Sequence, residues 1–75
     1  MELQEFIENL SEVFEDTDTT DFVASTEFKN NDEWNSLLAL SIIAMVDDEY
    51  NIVISGNDIK QSTTIEDLYL IVKSK

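Results

Sequence analysis

Residues 32–54 read DEWNSLLALSIIAMVDDEYNIVI, in which an asparagine and a serine precede a mostly apolar run. Asn35 is a favourable N-cap residue, because its side-chain oxygen can accept a hydrogen bond from a free backbone N–H in the first turn of a helix. Apolar residues fill most of the following positions, as far as the polar run DDEY. The pattern predicts a helix from about Ser36 to Tyr50, with the Ser36 hydroxyl exposed at its first position.

This predicted helix differs from an ordinary amphipathic helix in two ways. Apolar residues occur around most of its circumference, which indicates either a central helix buried on several sides or an exposed apolar strip. Its last turn carries Asp47, Asp48 and Glu49, beside the negative end of the helix dipole. These acids are either a solvated helix end or part of a docking surface. An apolar strip flanked by acids suits a basic, partly apolar partner.

The segments before this helix predict a helix and a loop. Residues 2–15 carry one apolar stripe at spacings of three and four, with acids opposite, which predicts an amphipathic helix. Residues 15–35 show no periodicity and predict a long loop. Four apolar residues are expected to anchor this loop to the core: Phe22, Val23, Phe28 and Trp34.

The segments after residue 50 complete the fold. The stretch YNIVI has strand propensity, but no second strand is expected to pair with it. Residues 57–60 predict a single helical turn, and residues 63–73 predict a last helix with Thr64 as N-cap and Asp67 three residues later. We therefore expect one all-α domain over residues 1–75. Its predicted architecture is a four-helix bundle of three main helices and one short helical turn, with a long loop between helices 1 and 2.

Charge and composition exclude several functions. Four lysines, no arginine and 17 acids give a net charge of −13, which repels nucleic acids and anionic membrane surfaces. No apolar run approaches the roughly 20 residues that span a bilayer, and the N-terminus is acidic, so we expect a cytoplasmic monomer without membrane insertion. The chain contains no cysteine and no histidine. Ser36 therefore lacks an obvious base, and we expect no catalytic residue, no enzymatic activity and no metal ligand.

Three segments together resemble an acyl carrier protein of the free-standing, type II kind. Members of that family are small acidic four-helix proteins that carry a 4′-phosphopantetheine arm on the serine of an Asp-Ser-Leu triplet. In this chain NSL falls at the triplet, MVDDEYNIVI is similar to the pattern that follows it, and TTIEDLYLIV is similar to the closing helix. The resemblance covers the whole chain in the right order.

The resemblance implies a role for individual residues. Ser36 would be the attachment site of the arm, which a phosphopantetheinyl transferase takes from CoA. Leu37, Asp47 and Asp48 would contact the basic docking patches of that transferase and of acyl-transferring or synthase enzymes. The arm's thiol would hold acyl cargo as a thioester. Positions that would line an interior shelter for the acyl chain are Leu40, Val46, Tyr50, Ile54 and Leu68.

Two departures from the family pattern indicate a divergent member. Asn35 replaces the family's aspartate, which keeps the cap and removes a charge that the transferase normally meets. Leu38 and Ser41 stand where fatty-acid-synthesis members usually have an acid or polar residue and a glutamate. The resemblance therefore implies a carrier for fatty-acid, polyketide or other specialised acyl biosynthesis.

Parts of the sequence also fit two other functions. Residues 16–27 partly mimic an EF-hand loop, with acids at the first, third and twelfth positions, but Asp21 occupies the sixth position, where glycine makes the sharp turn. The main alternative to a carrier is an acidic helical adaptor, which binds a basic partner without a prosthetic group.

Overall fold

The computed structural model describes residues 2–75, and this part of the chain contains four helices and no strand. Helix α1 spans Leu3–Val13, α2 spans Ser36–Tyr50, α3 spans Gly56–Gln61 and α4 spans Ile65–Lys73. The prediction of an all-α fold is confirmed. Residues 51–55 form no strand despite their β propensity, and Asn51 ends α2 in the left-handed conformation (φ 56°, ψ 38°), which asparagine tolerates better than most residues.

Side-chain caps fix where α3 and α4 begin. Thr64 accepts a hydrogen bond from the Asp67 N–H, and the Asp67 carboxylate accepts from the Thr64 N–H, so the predicted N-cap is confirmed as a full capping box. Ser55 and Asp58 make the same reciprocal pair at the start of α3. Helix α3 has six residues, Gly56–Gln61, and is longer than the single turn predicted for residues 57–60.

The apolar stripe predicted α1 to continue through Phe14, and this is wrong. The helix ends at Val13, and Phe14 takes a non-helical conformation (φ −91°, ψ 80°) while its N–H bonds to the Ser11 carbonyl. Phe14 leaves the helix because its ring packs against residues of the following segment. It lies 5.4 Å from the Phe22 ring and 6.3 Å from the Trp34 ring.

Buried side chains from all four helices form one hydrophobic core. Helices α1, α2 and α4 each contribute residues at helical spacing, such as Leu38, Ile42 and Val46 of α2, whereas α3 contributes Ile59. Burial of this apolar surface is the main force that holds the short helices together. The remaining core side chains are Phe6, Ile7, Leu10, Phe14, Phe28, Ile54, Ile65, Leu68, Tyr69 and Val72.

Residues 14–35 contain turns without helix or strand, and they are tied to the core by an aromatic cluster. Phe28 is fully buried and lies edge-on to Trp34, and Phe22 is partly buried. The expectation that Val23 anchors this segment is wrong, because its side chain is 52% exposed. Carbonyls of Ala24 and Thr26 accept hydrogen bonds from the first N–H groups of α4.

Candidate functional site

Ser36 stands at the exposed N-terminus of α2, held there by its neighbour's side chain. The Asn35 Oδ1 accepts a hydrogen bond from the Leu38 N–H at 3.0 Å, and Asn35 itself is extended (φ −158°). Ser36 is therefore the first helical residue, as predicted, and it is exposed. Leu37 beside it is 71% exposed. Another protein can reach both residues without disturbing the core.

Three of the four lysines contact groups in α3 or α4. The Lys29 Nζ donates to the Ile59 and Lys60 carbonyls at 3.0 Å, and the Lys75 Nζ lies 3.1 Å from Asp58 in α3. Lys73 lies over the Tyr69 ring. Lys29, the lysine nearest to Ser36 in sequence, is thus a hydrogen-bond donor to α3 rather than a base beside the hydroxyl.

One exposed face of α2 combines apolar and acidic side chains. We call it the α2 outer face, and its members recur at helical spacings of three and four. On the opposite side of the helix, Leu38, Ile42 and Val46 are buried. A helix buried on several sides is therefore not what the structure shows. The α2 outer face brings together the predicted partner residues, and it comprises Leu37, Leu40, Ser41, Ala44, Asp47 and Asp48.

Leu40 departs from the role that the sequence implied for it. It was expected to line the interior, but its side chain is 61% exposed. The reason is geometric, because Leu38 and Ile42 take the core side of α2 and leave Leu40 on the outer side. Leu40 belongs to the α2 outer face instead.

The other four predicted interior residues lie in or against the core. Val46 and Leu68 have no exposed surface, and Ile54 is 3% exposed. Tyr50 is half-buried, with its ring 6.1 Å from Phe6 and its hydroxyl accepting a hydrogen bond from the Asn9 amide at 2.7 Å. Burial raises the pKa of the Tyr50 phenol above its ordinary value of 10.0, and the Asn9 hydrogen bond offsets part of that effect.

Sequence reasoning missed a cleft of about 360 Å³ between the end of α1 and the start of α2. Asn35 and Leu37 line it together with Val13 and Glu33. The Glu33 carboxylate is held in place by the Thr17 hydroxyl at 2.6 Å and the Asp16 N–H at 3.3 Å. Thr17 and Asp16 precede Glu33 by 16 and 17 residues in the sequence. No local sequence pattern could therefore have predicted that these three residues contact one another.

The EF-hand-like stretch folds as turns. The Asp18 carboxylate accepts hydrogen bonds from the Thr20 hydroxyl and N–H, and these bonds lower the pKa of Asp18 below its ordinary value of 3.8. Residues 28–35 after it hold turns and bends rather than the second helix of an EF-hand. Within residues 2–75, no cluster of three His, Cys, Asp or Glu side chains is arranged to hold a metal ion.

Comparisons with protein-family models, with curated proteins and with solved structures found no match to this chain. None of the helices in residues 2–75 is long and apolar enough to cross a membrane.

Proposed function

We propose that the chain is a divergent, non-catalytic acyl carrier protein that bears a 4′-phosphopantetheine arm on Ser36. The observation that carries the proposal is an exposed serine at the first position of a capped helix, followed by an exposed leucine on a face that ends in acids. In this proposal the four helices form a bundle around the single core, and residues 14–35 are its long connecting loop.

The position of Ser36 fits a phosphodiester. The backbone N–H groups of the first turn give a helix N-terminus a partial positive charge, which favours a bound phosphate. The Ser36 oxygen would bond to the phosphorus that CoA presents, and the phosphoanhydride bond would break to release adenosine 3′,5′-bisphosphate. The proton of the hydroxyl would go to a base of the transferase. The arm would supply the thiol that this cysteine-free chain lacks.

The α2 outer face would be where partner enzymes dock. Leu37 offers an exposed apolar contact close to the arm, and Asp47 and Asp48 offer charge at the other end of the helix. With a net charge of −13, the protein would attract basic patches and associate faster at low salt. The transferase and the acyl-transferring enzymes would share this face.

The acyl chain would be buried among the core residues around Val46, Ile54 and Leu68. These side chains are fully or almost fully buried, and protein cores leave little empty volume. An acyl chain would therefore have to displace neighbouring groups to enter. Tyr50 lies at the edge of this region, since it is half-buried against Phe6.

Intact mass spectrometry tests the proposal. The protein is incubated with CoA and a broad-specificity phosphopantetheinyl transferase, and the expected product gains one phosphopantetheinyl group. Ser36→Ala should gain none, whereas Ser25→Ala, which alters an exposed serine outside the α2 outer face, should be modified like the wild type. An unmodified wild-type chain would favour the adaptor, for which the exposed apolar and acidic face of α2 would suffice.

A further inference from the structure

Helix α3 is the shortest of the four described helices. It is six residues long, which is too short for a helix to be stable alone, and Ile59 is its buried residue. It packs against both α2 and α4. An element with one buried anchor opens more easily than the longer helices, which carry three or four each.

Lys29 connects α3 to the distant segment 14–35. Its ammonium group donates to the carbonyls of Ile59 and Lys60, each at 3.0 Å. These carbonyls belong to the last turn of α3, and the Ile59 carbonyl also accepts a hydrogen bond from the Ser62 N–H at 3.1 Å. Phe28, the preceding residue, is fully buried and fixes the position of the lysine.

The same segment also holds the beginning of α4. The Thr26 carbonyl accepts from the Ile65 N–H at 3.0 Å, and the Ala24 carbonyl accepts from the Glu66 N–H at 2.9 Å. Residues 24–29 therefore connect the end of α3 to the start of α4. Breaking the Lys29 contacts would free α3 while leaving the α4 contacts in place.

A second lysine contacts α3, but its contribution is smaller. Lys75 lies 3.1 Å from Asp58, and its side chain is 41% exposed. Exposed ion pairs contribute little to stability because water screens them and the long side chain loses freedom. Both Lys29 hydrogen bonds are charge-assisted, and the one to the Ile59 carbonyl is partly buried, so we expect them to contribute more than the Lys75 ion pair.

We propose that Lys29 is a latch that holds α3 over the core and thereby limits how long an acyl chain can enter between α2 and α4. The cargo part of this inference rests on the proposed carrier function, whereas the latch itself does not. With α3 released, an acyl chain could reach Val46 and Leu68 without displacing the longer helices. The latch is thus a positioning element that determines cargo length.

Hydrogen exchange of the unmodified chain tests the latch directly. Lys29→Gln should speed exchange of the α3 amides and leave the α1 amides unchanged. Lys75→Gln should have a smaller effect on α3, and Lys73→Gln, which removes the same charge from a lysine that lies over Tyr69, should have none. Lys29→Arg keeps a charged donor and should restore slow exchange. Unchanged α3 exchange in Lys29→Gln, or equal effects of all three glutamine variants, would overturn the latch.

Loading the arm tests the consequence for cargo. Wild type and Lys29→Gln are loaded with acyl chains of increasing length, and the melting temperature of each is compared with that of the unacylated form. Lys29→Gln should gain stability from longer chains than the wild type does. The same chain-length dependence in both proteins would overturn the cargo role. Failure of the arm to attach would reject the carrier function, while the exchange experiment would still decide the latch.

Discussion

The Asn35 side-chain oxygen accepts a hydrogen bond from the Leu38 backbone N–H at 3.0 Å, and this contact sets the first turn of α2. It makes Ser36 the first residue of the helix and leaves the serine exposed. Asn35 therefore has two separable properties. It caps the helix, and it is uncharged where the resembled family carries an aspartate.

Substitutions of Asn35 should separate capping from recognition. Asn35→Ala removes the cap and should lower the free energy of unfolding by about 1 kcal/mol. Asn35→Asp keeps a capping oxygen and adds a negative charge beside Ser36, so it should fold as stably as the wild type and accept the arm faster. Chemical denaturation and the initial rate of arm transfer are the two measurements. Equal transfer rates for wild type and Asn35→Asp would show that the transferase does not sense this charge.

The acids at the end of α2 should affect association rather than folding. Asp47→Asn with Asp48→Asn should slow association with the transferase at low salt and matter less at high salt. The double variant should be as stable as the wild type or more stable by a few tenths of a kcal/mol per acid, because both residues lie at the negative end of the helix dipole.

The matched control for that pair is Glu8→Gln with Glu12→Gln, which removes two exposed acids from α1. This control should slow association less than the α2 variant does. Stopped-flow association rates at two salt concentrations and thermal melts give both readouts. If the α2 variant associates normally but melts much lower, the two acids are structural and the docking hypothesis is wrong.

We expect Leu37 to affect the rate at which the complex with the transferase dissociates. Leu37→Ala removes an exposed apolar contact near the arm, so the complex with the transferase should dissociate faster while stability changes by less than about 0.5 kcal/mol. Val53→Ala is a close control, because Val53 is 75% exposed and lies after α2 rather than on its outer face. Equal acceleration of dissociation by both variants would remove the case for a specific contact at Leu37.

The capping box of α4 predicts a pH dependence. The hydrogen bonds that the Asp67 carboxylate accepts from the Thr64 and Thr63 N–H groups lower the pKa of Asp67 below its ordinary value of 3.8. Because the pKa is lower in the folded state, the charged carboxylate stabilises the fold above pH 3.8, and this contribution is lost as the pH falls through the folded pKa.

Comparison of wild type with Asp67→Asn isolates this contribution from the general relief of charge repulsion in acid. Asp67→Asn should be less stable than the wild type at neutral pH, and the difference should shrink below pH 3.8. Glu66→Gln controls for the loss of one negative charge in the same turn. A difference that stays constant across acid pH would mean that the Asp67 hydrogen bonds do not depend on its charge.

Local patterns were sufficient to predict α2 and the start of α4. Asn35 and Thr64 are capping residues that stand directly before apolar helical sequence, and both helices begin where the caps indicate. The Ser55–Asp58 capping box has the same kind of local signature, a serine followed three residues later by an acid. Local hydrogen bonding decides these features, so sequence is informative about them.

Tertiary packing decided the features that sequence did not predict. Leu40 lies on a helix with apolar residues on most sides, and its periodicity cannot show which side the other helices cover. Phe14 continues the stripe of α1, yet it leaves the helix to pack with Phe22 and Trp34. Lys29 contacts two residues of α3 that follow it by 30 and 31 positions in the sequence. Such contacts become visible only in the folded chain.

We propose that Ser36 carries a thiol-bearing arm, and because the chain contains no cysteine, the thiol of the arm can be measured directly. The purified chain should contain no titratable thiol, because its sequence supplies none. After incubation with CoA and a phosphopantetheinyl transferase, followed by removal of free CoA, thiol titration should find one thiol per wild-type chain and none in Ser36→Ala. A thiol in the Ser36→Ala variant, or none in the wild type, would contradict the account.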